Sequence, residues 1–128
     1  MRLLLDTHTL VWWIKSSPMV SDTARAAIAS EESVVFVSVI SAWEIAIKVG
    51  RGKWPDAEKL LEEFEPAIAE ERFQLLTVSV SHARKAGLLA SDHRDPFDRL
   101  LAAQASIEGL TLVSADARMA QLGAAVLW

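Results

Sequence analysis

The sequence contains no cysteine, which excludes disulfide stapling, thiolate zinc sites and a cysteine nucleophile, and suits a reducing cytoplasm. No apolar run comes near the roughly 20 residues of a membrane span. The opening Met1-Arg2-Leu3-Leu4-Leu5-Asp6 is too short for a secretory signal, because Asp6 interrupts the apolar stretch. Repeats, linkers and low-complexity tracts are missing as well. A soluble cytoplasmic protein is expected, with residues 1–128 forming one domain. Positive charge is also scarce: the net charge of −4 argues against nucleic acid as a partner only where the two signs are mixed. Here acids crowd between Glu58 and Glu71, while bases gather at Lys48, Arg51 and Lys53 and again at Arg94, Arg99 and Arg118. An acidic protein built this way can still present a basic rim.

What is present is apolar material, 52% of the residues, in an alternating order of elements. Leu3 to Asp6 reads as a strand, Thr7 to Lys15 as a short helix, and Ser21 caps a second helix to about Ser30. The β-branched run Val34 to Ile40 reads as a buried strand, and Ser41-Ala42-Trp43-Glu44 opens a helix stopping near Gly50. Asp56 to Arg72 is helical in composition, with Pro66 expected to kink or split it. Leu75 to Val80 is a strand, Ser81 begins a helix to about Ala90, and Asp95-Pro96 starts another that ends near Gly109. Leu110 to Val113 is a strand, Ala117 to Leu122 a short helix, and Ala124 to Leu127 the last strand. Strands separated by helices predict an α/β fold with a mainly parallel sheet and helices on both faces.

Four acids stand out, and each has an ordinary structural explanation. Glu44 fits the third helical position of a capping box begun by Ser41. Asp98 follows the cap Asp95 and Pro96 and would favour the helix dipole. Asp116 would cap the helix at Ala117, and Asp6 closes an apolar strand ahead of a helix. Taken together these explanations weaken, because central strands of a parallel sheet lie about 5 Å apart and the helices that follow begin at one edge. Open α/β sheets bind ligands at that edge. Two unit charges 4 Å apart cost roughly 4 kcal/mol at an effective dielectric of 20. A hard divalent cation relieves such repulsion, so Mg²⁺ or Mn²⁺ is the expected cofactor, as in a nuclease.

Leu4-Leu5-Asp6-Thr7, Ser41-Ala42-Trp43-Glu44, the stretch His93 to Ala105 (His-Arg-Asp-Pro-Phe-Asp-Arg-Leu-Leu-Ala-Ala-Gln-Ala) and Leu112-Val113-Ser114-Ala115-Asp116 resemble the motifs of PIN-domain proteins. Among these the VapC-type toxins of bacterial toxin–antitoxin pairs match best. The resemblance runs from the first strand to the last in order and spacing, and the long third motif is its most specific part. It implies an α/β/α sandwich and a Mg²⁺- or Mn²⁺-dependent endoribonuclease. The family's acids map onto Asp6, Glu44, Asp98 and Asp116, as catalytic and metal-holding residues, with Asp95 left as the cap. Thr7 and Ser114, beside the acids, would hold water around the metal. A cognate antitoxin, laying a helix into an apolar groove, and a homodimer are implied as partners, with Trp12, Trp13 and Trp54 as exposed-looking apolar residues. RNA is the implied substrate. Lys48, Arg51, Lys53, Arg94 and Arg99 are the candidate phosphate contacts.

Other residues read less sharply. His8, His82 and His93 share no ligand-like spacing, so a solvated or core role is expected for them. Lys48 lies one turn after Glu44 and could pair with it or contact phosphate. The tryptophans read as core or interface anchors ahead of base-stacking platforms. A haloacid-dehalogenase-type phosphotransfer enzyme would need Asp where His8 stands, and a signalling receiver domain would need an acid where Ser41 follows the second strand. The alternative function is a non-catalytic binding module whose acidic pocket holds a structural metal or a partner's basic tail.

Overall fold

A computed structural model describes residues 1–128. Five strands form one sheet: β1 (Arg2–Leu5), β2 (Val34–Ser38), β3 (Gln74–Leu76), β4 (Thr111–Val113) and β5 (Val126–Leu127). Their order across the sheet is β3-β2-β1-β4-β5, and every pairing is parallel. The α/β sandwich expected from the alternation is therefore present, with a fully parallel sheet. The chain moves outward from β1 through β2 to β3, then crosses back to place β4 on the other side of β1. That reversal is a topological switch point, and it lies between the strands ending at Leu5 and Val113.

The helices are α1 (Thr7–Ile14), α2 (Asp22–Ala29), α3 (Val39–Gly50), α4 (Glu58–Glu62), α5 (Phe64–Glu70), α6 (Val80–Leu88) and α7 (Pro96–Glu108). Short 3₁₀ segments cover Pro55–Ala57 and Ala117–Leu122. Side chains of β1 alternate between two apolar layers, as period-2 geometry requires. Leu3 and Leu5 pack with Leu10, Ile28, Ile45 and Ile68 on one face; Leu4 packs with Leu101, Ala105 and Met119 on the other. Burial on both faces explains why β1 carries three leucines in a row.

Several boundaries differ from the sequence expectation. Val39 and Ile40, read as strand, are the first two residues of α3, and Ser38 is its cap, accepting a hydrogen bond from the Ile40 amide at 3.1 Å. Glu44 thus sits in the second turn, and the Ser41–Glu44 capping box does not form. β-branched residues lower helix propensity only slightly, and a buried serine cap outweighs them here. The acidic segment breaks at Glu63 (φ −114°, ψ 29°). Pro66 falls in the first turn of α5, where its missing N–H leaves the Glu62 carbonyl without a helical donor. β3 is shorter than expected because Ser79 caps α6. Asp95 caps α7 as read, and Gly109 ends it in the left-handed conformation (φ +66°).

Candidate active site at the carboxyl edge of the sheet

The edge is assembled by short-range hydrogen bonds on top of the strand register. The Asp6 amide extends the β1–β4 ladder by donating to the Val113 carbonyl at 3.1 Å. The buried Thr9 hydroxyl donates to the same carbonyl at 3.0 Å. Asp6 Oδ1 accepts from the Thr9 amide at 2.8 Å and so caps α1. On β4, the buried Ser114 Oγ accepts from the Asp116 amide at 3.1 Å, fixing the turn that carries Asp116. Thr7 Oγ1 lies 3.0 Å from Ser41 Oγ, tying the start of α1 to α3. Thr7 and Ser114 therefore act on neighbouring chain segments, the first on α3 and the second on Asp116.

The four acids sit at this edge, and each faces a partner of its own. Besides the Asp6 cap, Glu44 Oε2 accepts from Lys48 Nζ at 2.7 Å, and Glu44 is almost wholly buried while Lys48 is about one-third exposed. Asp98 Oδ2 accepts from His93 Nε2 at 2.8 Å. Asp116 receives the Arg118 guanidinium in a fork, with Nη2 at 2.7 Å and Nε at 3.0 Å. Burial pushes the Asp98 carboxyl above its ordinary range, the His93 hydrogen bond opposes that, and the charges of Asp95 and Glu44 push it further up. The Arg118 hydrogen bond holds Asp116 below the ordinary range, with His93 adding to the effect. Arg118 in turn is raised, first by Asp116 and also by the fields of Asp98 and Asp95. Glu44 is thus one of the charges that act on Asp98, and His93 one that acts on Asp116.

As the side chains stand, no three histidine, aspartate or glutamate side chains come together closely enough to hold a metal ion. The chemistry of the donor set nevertheless suits one: four carboxylates and no thiolate. Hard oxygen donors of this kind are what Mg²⁺ takes. A concavity of about 450 Å³ opens at the opposite, amino edge of the strands around Ser33 and Phe73, and none of the four acids lines it.

Three of the ordinary explanations hold beside the site reading: Asp6 and Asp116 both cap, and Asp98 is the third residue of α7. Asp95 is the cap of α7, accepting from the Phe97 and Asp98 amides. Sequence reading missed His93, whose partner stands five residues on at the far side of a helix start. It also misjudged Arg99. Expected at the rim, its guanidinium donates to five backbone carbonyls, those of Ala86, Gly87, Leu89, Ser91 and His93. That clamp holds the α6–α7 loop carrying His93 and leaves no donor for phosphate. Arg51, Lys53 and Arg94 are exposed and in no ion pair. His82 fits the expected core role: its Nδ1 accepts from the Ser79 amide, so Nε2 carries the proton donated to Glu108. Trp12, Trp13 and Trp54, expected to be exposed, pack against the core and are only half-exposed; the exposed tryptophan is Trp43, at 59%.

Comparison with solved structures finds the same fold repeatedly. VapBC2 from Rickettsia felis, bound to a fragment of promoter DNA, is 17% identical with a TM-score of 0.70, over 99% of this chain and 98% of that one. VapBC-1 from nontypeable Haemophilus influenzae is 18% identical with a TM-score of 0.69, over 99% and 97%. FitAcB from Neisseria gonorrhoeae is 23% identical with a TM-score of 0.66, over 98% and 96%. At these identities the likeness concerns the fold. No curated protein sequence matches. The sequence profile of the PIN domain matches residues 3–125, nearly the whole chain, and with the motif order and the acid-lined sheet edge it establishes that this protein belongs to the PIN domain family.

Proposed function

We propose that the chain is a metal-dependent endoribonuclease and the toxin of a toxin–antitoxin pair. The observation that carries this reading is the position of Asp6 and Asp116 just beyond the ends of β1 and β4 at the switch point, with Glu44 on α3 and Asp98 on α7, helices that meet through Trp43 and Phe97. Asp6, Glu44, Asp98 and Asp116 would hold Mg²⁺, with Mn²⁺ as a substitute. A bound ion of this kind activates water and neutralises charge building on phosphate. The chain's own contribution is to give each carboxylate a hydrogen-bond or ion-pair partner at that edge. His93 favours the charged form of Asp98 against burial, Arg118 does so for Asp116, and Lys48 pairs with Glu44. Lys48, Arg51, Lys53 and Arg94 supply phosphate contacts at the rim.

The solved relatives named VapBC and FitAcB support an antitoxin partner for this chain too. A homodimer and a cytoplasmic location belong to the same proposal; no helix is long and apolar enough to cross a membrane. One observation favours a second reading, a binding module without catalysis: every acid already holds an N–H or cationic group, as an acidic pocket for a partner's basic tail would. An RNA cleavage gel with and without Mg²⁺ tests the choice. Cleavage that needs the ion supports the nuclease; intact RNA under both conditions supports the binding module.

A further inference from the structure

Lys48 links the acid site to a set of aromatic rings. The Nζ that pairs with Glu44 at 2.7 Å also lies 5.1 Å from the centroid of the Trp54 ring, a cation–π arrangement. On Trp54 leans the exposed imidazole of His8, at 4.8 Å between centroids and 34° between planes. His8 stands two residues after Asp6 in the first turn of α1, and Trp54 meets the site through Lys48, which pairs with Glu44. The segment leading to Trp54 carries Arg51 and Lys53, both exposed and unpaired. Cations beside neighbouring aromatic rings, next to the proposed nuclease site, match the chemistry of single-stranded nucleic acid, in which phosphates alternate with flat bases.

Resting on the nuclease reading, we infer that His8 and Trp54 form a ledge on which one base flanking the scissile phosphate of single-stranded RNA stacks. Lys48, Arg51 and Lys53 grip the adjoining phosphates. The rings reach that base and leave the reacting phosphate to the acids.

The test measures anisotropy of a fluorescein-labelled single-stranded RNA octamer in EDTA, where binding occurs without cleavage. His8→Ala and Trp54→Leu should each weaken binding about tenfold, Trp54→Phe should restore most of the loss, and one abasic position in the octamer should erase the difference between wild type and variants. Trp54 packs partly on the core, so His8→Ala, at an exposed position, keeps the test valid if Trp54→Leu melts early. Wild-type binding that His8→Ala and a folded Trp54→Leu match overturns the ledge alone, including the case in which these variants lose only a protein partner. A wild-type chain that neither binds nor cuts RNA overturns the ledge and the nuclease reading together.

Discussion

His93 donates a hydrogen bond to Asp98 across 2.8 Å, from the loop before α7 to its first turn. The bond joins two residues with opposite tendencies. Burial and the charges of Asp95 and Glu44 disfavour the Asp98 carboxylate, while His93 favours it. The balance leaves Asp98 above its ordinary range, a concentration of unfavourable charge where substrate chemistry is proposed.

Stability should therefore respond to the Asp98 charge with a definite sign. A carboxyl whose folded pKa is raised contributes most below its unfolded value and loses that contribution as pH rises through the folded value. Above the folded value the cost of ionisation is in force, and there Asp98→Asn should raise the metal-free melting temperature by about 1–3 °C. The gain should fade as pH falls below the ordinary carboxylate range. Asp116, lowered by Arg118, has the opposite sign: its contribution is present above the unfolded value and lost as pH falls through the folded one. That pair is largely exposed, so Asp116→Asn should move the melting temperature little. Melting curves across pH read both.

Glu44 and Lys48 should be strongly coupled. Glu44 is buried and Lys48 is its only ion-pair partner, so Lys48→Met leaves a buried carboxylate uncompensated. A loss of about 1–3 kcal/mol is expected, less than for a fully buried pair because Lys48 reaches solvent. Glu44→Gln added to Lys48→Met should recover part of it. Urea titrations of the four corners of the cycle check this; additive losses would contradict the pairing.

Arg99 and the exposed bases should separate cleanly. Arg99→Gln removes most of five carbonyl contacts and should cost about 2 kcal/mol or more of stability. Arg51→Gln with Arg94→Gln should leave melting unchanged and flatten the salt dependence of RNA binding. An unaltered slope in the double variant would place the RNA path elsewhere.

Partner binding should depend on Trp43, the most exposed tryptophan, whose ring meets Phe97 edge-on at 5.3 Å. Trp43→Glu should keep the fold yet weaken self-association or capture of the antitoxin co-expressed with the chain, by about tenfold or more. Size-exclusion and pull-down with the wild type alongside decide; equal behaviour of the two would exclude this face.

The parallel sheet and most helix ends were legible because local chemistry dictates them: Ser21, Asp95-Pro96 and Gly109 cap or stop helices by rules that need only neighbours in sequence. The positions of Asp6 and Asp116 just beyond strand ends were legible from the apolar runs before them. Glu44 was placed in the wrong turn, because Val39 and Ile40 have strand propensity while the buried Ser38 starts the helix. The roles of His93 and Arg99 were out of reach, since each depends on how a loop folds back over α7. The half-exposure of Trp54 was hidden for the same reason: its neighbours His8 and Lys48 come from other elements.

Cleavage by single-charge variants tests most directly whether the four carboxylates act as one metal-holding set. RNA cleavage in Mg²⁺ should fall about 100-fold or more for Asp6→Asn, Glu44→Gln, Asp98→Asn and Asp116→Asn, while Asp95→Asn, which caps α7 about as well as Asp, should cut like wild type. Mn²⁺ should raise the melting temperature of the wild type more than that of any of the four. Four folded variants that still cut, with no thermal shift on adding Mn²⁺ to the wild type, would contradict the account.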